Sequence, residues 1–148
     1  MNFPQLKLEN QLCFPLYAVS KEITRRYAPF LEPLELTYTQ YIVMLVLWEE
    51  KKCNVTELGK KLFLDSGTLT PLLKKLEAKG YVKRSREESD ERCLSVSLTA
   101  KGKELQGKAA DIPKNMASCV NLSQSEVKTL YRALYKILDS FKADLHPL

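Results

Sequence analysis

The residues able to carry covalent or metal chemistry are four cysteines and one histidine. Cys13, Cys53, Cys93 and Cys119 lie 40, 40 and 26 residues apart, without the C-x-x-C pairs of zinc knuckles or thioredoxin-like motifs. His146 stands third from the C-terminal end, a poor place for a metal ligand, a general base or the partner of a Ser or Cys nucleophile. No G-x-x-x-x-G-K or G-x-G-x-x-G is present to cradle phosphates. An ordinary enzyme, a bound cofactor and a metal site are therefore not expected, and the chemistry left over is that of a thiol.

Charge offers a second clue. From Lys51 to Arg86 ten Lys/Arg stand against three acids (Glu57, Asp65, Glu77), a net +7 that leaves −2 for the rest of a chain whose total is +5. A basic surface concentrated in mid-chain suits a polyanion, because each phosphate it neutralises releases counterions. A merely solvated face is the other reading, and charge alone does not separate them.

The elements that must position these residues belong to one globular domain of 148 residues, 45% apolar and 28% charged, long enough to fold without staples. The longest apolar run, Tyr41 to Trp48, is far short of a membrane span of roughly 20 residues, and no secretory signal precedes it, so a cytoplasmic protein with free thiols is expected. Apolar residues at Leu12, Leu16, Val19, Ile23 and Tyr27 predict a first helix from Leu6 to about Tyr27, kinked at Pro15. Pro29 and Pro33 bracket a connection. Thr37-x-x-Gln40 then reads as a capping box opening an apolar helix through Trp48. Asn54-x-x-Glu57 opens a short helix, and Asp65 or Ser66 caps another whose stripe is Leu69, Leu72, Leu73 and Leu76, closed by a left-handed Gly80. Beyond it the period changes to two: Tyr81 to Arg86 is a strand, Glu87 to Glu91 a turn, and Leu94, Val96 and Leu98 alternate with Cys93, Ser95 and Ser97. Thr99 caps a helix to about Ile112, ended by Pro113. Ser123-x-x-Glu126 caps the last, striped by Val127, Leu130, Tyr131, Leu134, Leu138 and Phe141.

The expected fold is mainly α with a small β-hairpin wing, a winged helix-turn-helix whose second helix enters the major groove. With the four leucines inward, that helix turns Ser66, Gly67, Thr68, Thr70, Pro71, Lys74, Lys75 and Ala78 outward. Small residues at its start let the backbone approach DNA, and the two lysines neutralise phosphates. Arg84, Arg86 and Arg92 on the hairpin are expected minor-groove or phosphate contacts, with Asp90 orienting Arg92 or bracing the turn.

Three segments carry a resemblance to the multiple antibiotic resistance regulator (MarR) family of winged-helix repressors. Asp90-Glu91-Arg92 through Leu98-Thr99 resembles its wing. Leu64-Asp65-Ser66-Gly67-Thr68-Leu69-Thr70-Pro71-Leu72-Leu73-Lys74-Lys75-Leu76-Glu77 and Leu8-Glu9-Asn10-Gln11-Leu12-Cys13-Phe14 resemble its thiol-based branch, the organic hydroperoxide resistance regulators and related staphylococcal redox regulators. The resemblance implies a homodimer with interlocking N- and C-terminal helices (1–36 and 113–148) around a DNA-binding region (37–112), reading a pseudo-palindromic double-stranded operator. The apolar stripes of the first and last helices exceed what one small winged domain can cover, which agrees with a dimer.

The resemblance also makes Cys13 the sensor, oxidised by an organic hydroperoxide to a sulfenic acid and then to a disulfide that releases DNA. Two tyrosines hydrogen-bond the sulfur in that branch, and they match Tyr27 and Tyr38; Tyr17 lies one turn after Cys13 on the same side. No Lys or Arg lies within a turn of Cys13, so donors for a thiolate must be tyrosine hydroxyls or come from a partner chain. The second thiol is either a low-molecular-weight cellular thiol or Cys119 of the other subunit. Alternatives are a regulator sensing a small ligand with Cys13 structural, a thiol peroxidase, and a protein-only adaptor.

Overall fold

The computed structural model describes residues 3–87 and 90–145, without the side chains of residues 87, 90–92 and 142–145. His146 and the side chains of Asp90 and Arg92 lie outside the described residues. The chain divides into two compact units, Met1–Ile112 and Pro113–Leu148.

The first unit opens with two 3-10 turns, Pro4–Leu6 and Leu8–Asn10, and reaches α1 (Cys13–Leu31) through an extended Gln11. The first helix therefore begins seven residues later than its periodicity predicts. Asn10 Nδ2 donates to the Pro4 carbonyl at 2.7 Å and Gln11 Nε2 to the Gln5 carbonyl at 2.6 Å, local bonds that compete with helix. The late start also disposes of the kink expected at Pro15. In the first turn its missing N–H has no carbonyl to meet and its ring no preceding turn to press on. Pro29, expected outside the helix, lies within α1 near its end. A 3-10 turn, Glu32–Leu34, and a left-handed Glu35 (φ 53°) then lead to α2 (Tyr38–Glu50). There the Thr37–Gln40 box closes in both directions, at 3.3 and 3.1 Å.

A short strand, β1 (Lys52–Asn54), which the sequence does not announce, precedes α3 (Val55–Leu62) and α4 (Ser66–Ala78). Asn54 caps α3 through Thr56 N–H at 2.8 Å, and Asp65 caps α4 through Thr68 N–H at 2.8 Å. Gly80 takes φ 76°; its N–H bonds the Glu77 carbonyl at 2.8 Å while Tyr81 N–H bonds that of Leu76 at 3.1 Å, a Schellman closure. Strands β2 (Val82–Glu87) and β3 (Asp90–Leu98) follow, and the antiparallel sheet has the order β1-β3-β2. Because β3 is central, Ser95 is as fully buried as its neighbour Val96, and its Oγ donates to the Ser85 carbonyl at 3.3 Å.

Thr99 caps α5 (Ala100–Ala109). That helix ends short of Ile112, and Pro113 stands in the first turn of α6 (Ile112–Ala117), opening a helix where the sequence suggests an end. Leu31, Met44, Leu47, Leu58, Leu69, Leu73 and Leu76 are almost wholly enclosed in the core of this unit. In the second unit, α7 (Gln124–Leu145) is opened by Ser123, whose Oγ accepts Glu126 N–H at 3.3 Å. Val127, Leu130, Tyr131, Leu134 and Phe141 along it are exposed.

Candidate nucleic-acid interface and redox thiol

Helix α4 separates its two faces as its leucine spacing dictates. Leu69, Leu72, Leu73 and Leu76 are buried, while Ser66, Gly67, Thr68, Pro71, Lys74, Lys75 and Ala78 are exposed and Thr70 is half-buried. Asp65 holds the start of this face: Oδ1 takes the Thr68 N–H, and Oδ2 takes the Thr68 hydroxyl at 3.0 Å. These two bonds hold the Asp65 carboxyl below its ordinary range. Thr68 keeps its oxygen lone pairs for an incoming donor.

Arg84 is engaged differently from the sequence expectation. Its backbone N–H donates to Glu77 Oε1 at 2.9 Å and its Nε to Glu77 Oε2 at 2.9 Å, with the side chain three-quarters covered. The guanidinium ties β2 to α4 and is not presented for a phosphate. Arg86, two residues on, is exposed.

Of the four thiols, Cys13 and Cys119 are exposed, Cys93 is half-buried and Cys53 is buried. Burial, and secondarily Glu57, pushes the Cys53 thiol above its ordinary value, away from reactivity. Cys119 lies in the turn after α6, its Sγ 3.7 Å from the Asn115 carbonyl. Cys13 is the first residue of α1, at the end of a helix whose N–H groups lack carbonyl partners and whose dipole favours negative charge. Exposed Leu12, Phe14 and Leu16 surround it in sequence.

The tyrosines gather elsewhere. Tyr27 and Tyr38 pack with their rings tilted by 55° and 4.9 Å between centroids, and Tyr41 joins at 5.7 Å from Tyr27. Burial, then Tyr38, pushes the Tyr27 hydroxyl above its ordinary value, so it remains a donor. Tyr27 stands fourteen residues from Cys13 on the same helix, about 21 Å along its axis. A single chain does not bring these tyrosines to the sulfur. Tyr17 is exposed, one turn from Cys13.

Comparison with known proteins settles the class. The model of the transcriptional regulator SarA/Rot family matches residues 25–109, more than half of the chain. The organic hydroperoxide resistance transcriptional regulator of Bacillus subtilis is 47% identical over 93% of this chain and 94% of its own. The chain belongs to the SarA/Rot family of MarR-like winged-helix transcriptional regulators.

Within the family it is 49% identical to the regulator SarZ of Staphylococcus epidermidis over 86% of both chains. It superposes on AbfR of Staphylococcus epidermidis with 39% identity over 93% of this chain and 95% of that one. In the reduced, DNA-bound form of AbfR the TM-score is 0.78; in the disulfide-formed form it is 0.62, at 38% identity. The winged helix expected from the sequence is thus the fold of this SarA/Rot-family chain.

Sequence reasoning did not find the part played by Glu77, and the one signal available was an acid standing alone on a lysine-bearing helix. It also missed that Cys13 opens its helix, since the local bonds of Asn10 and Gln11 leave no periodic trace.

Proposed function

We propose that the chain acts as a homodimeric, redox-responsive regulator that holds a pseudo-palindromic operator while Cys13 is reduced and releases it when an organic hydroperoxide oxidises Cys13. The observation that carries this reading is the exposed sulfur of Cys13 at the head of α1, amid exposed apolar side chains that favour a bulky organic peroxide over hydrogen peroxide. The relatives named for hydroperoxide resistance, and AbfR structures in reduced and disulfide forms, support it.

In this reading residues 37–112 read DNA, while 1–36 and 113–148 build the dimer through the uncovered apolar faces of α1 and α7. Ser66, Gly67, Thr68, Thr70 and Pro71 approach bases, Lys74 and Lys75 take phosphates, and Arg86 and Arg92 reach the backbone or minor groove with Asp90 orienting Arg92. Tyr27 and Tyr38 serve the Cys13 of the partner subunit, since about 21 Å of helix keeps them from their own. The thiolate attacks the distal peroxide oxygen, the O–O bond breaks, and alcohol leaves a sulfenic acid. A second thiol then displaces water to form a disulfide. That thiol is Cys119 of the partner subunit or a small cellular thiol.

A gel shift on the chain's own upstream DNA tests the reading. The wild-type complex should dissociate with organic peroxide and the Cys13→Ser complex should persist; a serine variant released like wild type overturns it. Non-reducing electrophoresis identifies the second thiol, because a crosslinked dimer that vanishes in Cys119→Ser assigns it to Cys119. A small-ligand regulator has one observation in its favour, an open cleft of about 520 Å³ lined by Thr24, Leu31, Glu35, Leu36, Thr37 and Tyr38. Peroxide-independent release would select it.

A further inference from the structure

We infer that Glu77 is a positioning residue for DNA reading: by gripping Arg84 it sets the direction of the hairpin relative to the helix that enters the groove. This rests on the DNA-reading roles proposed above. Glu77 sits in the last turn of α4, one position from exposed Ala78 and two from exposed Lys75. An acid so near the reading face repels phosphate unless a cation cancels it. Arg84 does so with its Nε and Nη2 both at 2.9 Å from Oε2, while its backbone N–H donates to Oε1 at 2.9 Å. The backbone bond first, then the side-chain bond and charge of Arg84, pull the Glu77 carboxyl below its ordinary value, so both contacts hold the same charged carboxylate.

Two attachments are needed to fix the direction of a strand. The first is the Schellman turn, where Tyr81 N–H bonds the Leu76 carbonyl at 3.1 Å and the chain leaves α4. The second is Arg84, the third residue of β2, paired with Val96 of β3. With both in place β2 and β3 continue from α4 as one rigid piece. Without the second, the root of the hairpin is still held by the pairing of β1 with Ser95, Val96 and Ser97, but the part beyond it swings more freely, and an arginine near its tip gains little from the helix being bound. Rigid linkage makes the two contacts one binding event, whereas a pivot makes them nearly independent.

The test is a double-mutant cycle on the full-length protein, with affinity measured by fluorescence anisotropy at fixed salt on the upstream duplex. Arg92→Ala should weaken wild type about tenfold, the size expected of one good contact, but cost less than about twofold in Glu77→Gln or Arg84→Met, where the hairpin is loose. Arg84→Lys, which keeps a cation on Glu77, should restore most of the Arg92 cost. A purely structural Glu77 would lower the thermal midpoint yet leave the Arg92 cost at its wild-type size in every background, which overturns the inference. An Arg92→Ala that costs nothing in wild type overturns the hairpin role itself, and Glu77 with it. Should Glu77→Gln not fold, Arg84→Met answers the same question, because it leaves the carboxylate and its backbone bond intact.

Discussion

The indole N–H of Trp48 donates to the carbonyl of Gly102 at 2.9 Å, joining α2 to α5 across the core of the first unit. Gly102 itself lies where no side chain fits: a Cβ there would meet the Tyr81 carbonyl oxygen at 2.1 Å and Leu98 Cδ1 at 3.0 Å. Gly102→Ala should therefore cost about 1–3 kcal/mol through overpacking. Trp48→Phe should cost about 1 kcal/mol by removing that one buried hydrogen bond. Urea unfolding measures both, and an alanine variant as stable as wild type would show that α5 is free to shift.

Lys74 and Lys75 are both exposed on α4. Replacing either with alanine should weaken binding to all duplex sequences alike and reduce the slope of log affinity against log salt by about one. A loss confined to the operator would mean that the lysine reads a base.

Acid should loosen α4 at both ends. Asp65 and Glu77 have folded values below their ordinary 3.8 and 4.5. Groups depressed in this way stabilise the fold above those values, and the stabilisation is lost as pH falls through the lower, folded ones. Stability should thus decline as pH drops below about 4.5, and less so in Glu77→Gln, where one of the two groups no longer titrates. Thermal melts between pH 3 and pH 6 check it; parallel profiles for the two proteins would refute the assignment.

Tyr27 is packed on Tyr38 with its hydroxyl kept protonated by burial. If it serves the sulfur across the dimer, Tyr27→Phe should leave reduced DNA affinity within about twofold while slowing peroxide-driven release about tenfold, the loss of one hydrogen bond to a charged group. Release rates followed by anisotropy would decide. An unchanged rate would remove Tyr27 from the redox site.

Much of this fold is legible in local pattern. The capping residues Thr37, Asn54, Asp65, Thr99 and Ser123 mark helix starts because their side chains bond N–H groups two or three residues away. The leucines of α4 declare its inner face because 3.6 residues make a turn. Non-local features leave no such trace. Strand β1 is three residues long and exists because Lys52, Cys53 and Asn54 pair with Ser97, Val96 and Ser95. Ser95 is buried because β3 has a neighbour on either side.

The sequence by itself determined that a leucine-backed helix with a polar, lysine-bearing outer face precedes a hairpin, because periodicity and capping depend only on neighbours in the chain. Only the tertiary structure decided what each charged group faces. Arg84 is spent on Glu77, Cys53 is sealed while Cys13 is open, and Tyr27 is carried far along α1 from the sulfur. Those outcomes depend on which elements pack together, and packing is a sum over distant residues that no short window of sequence contains.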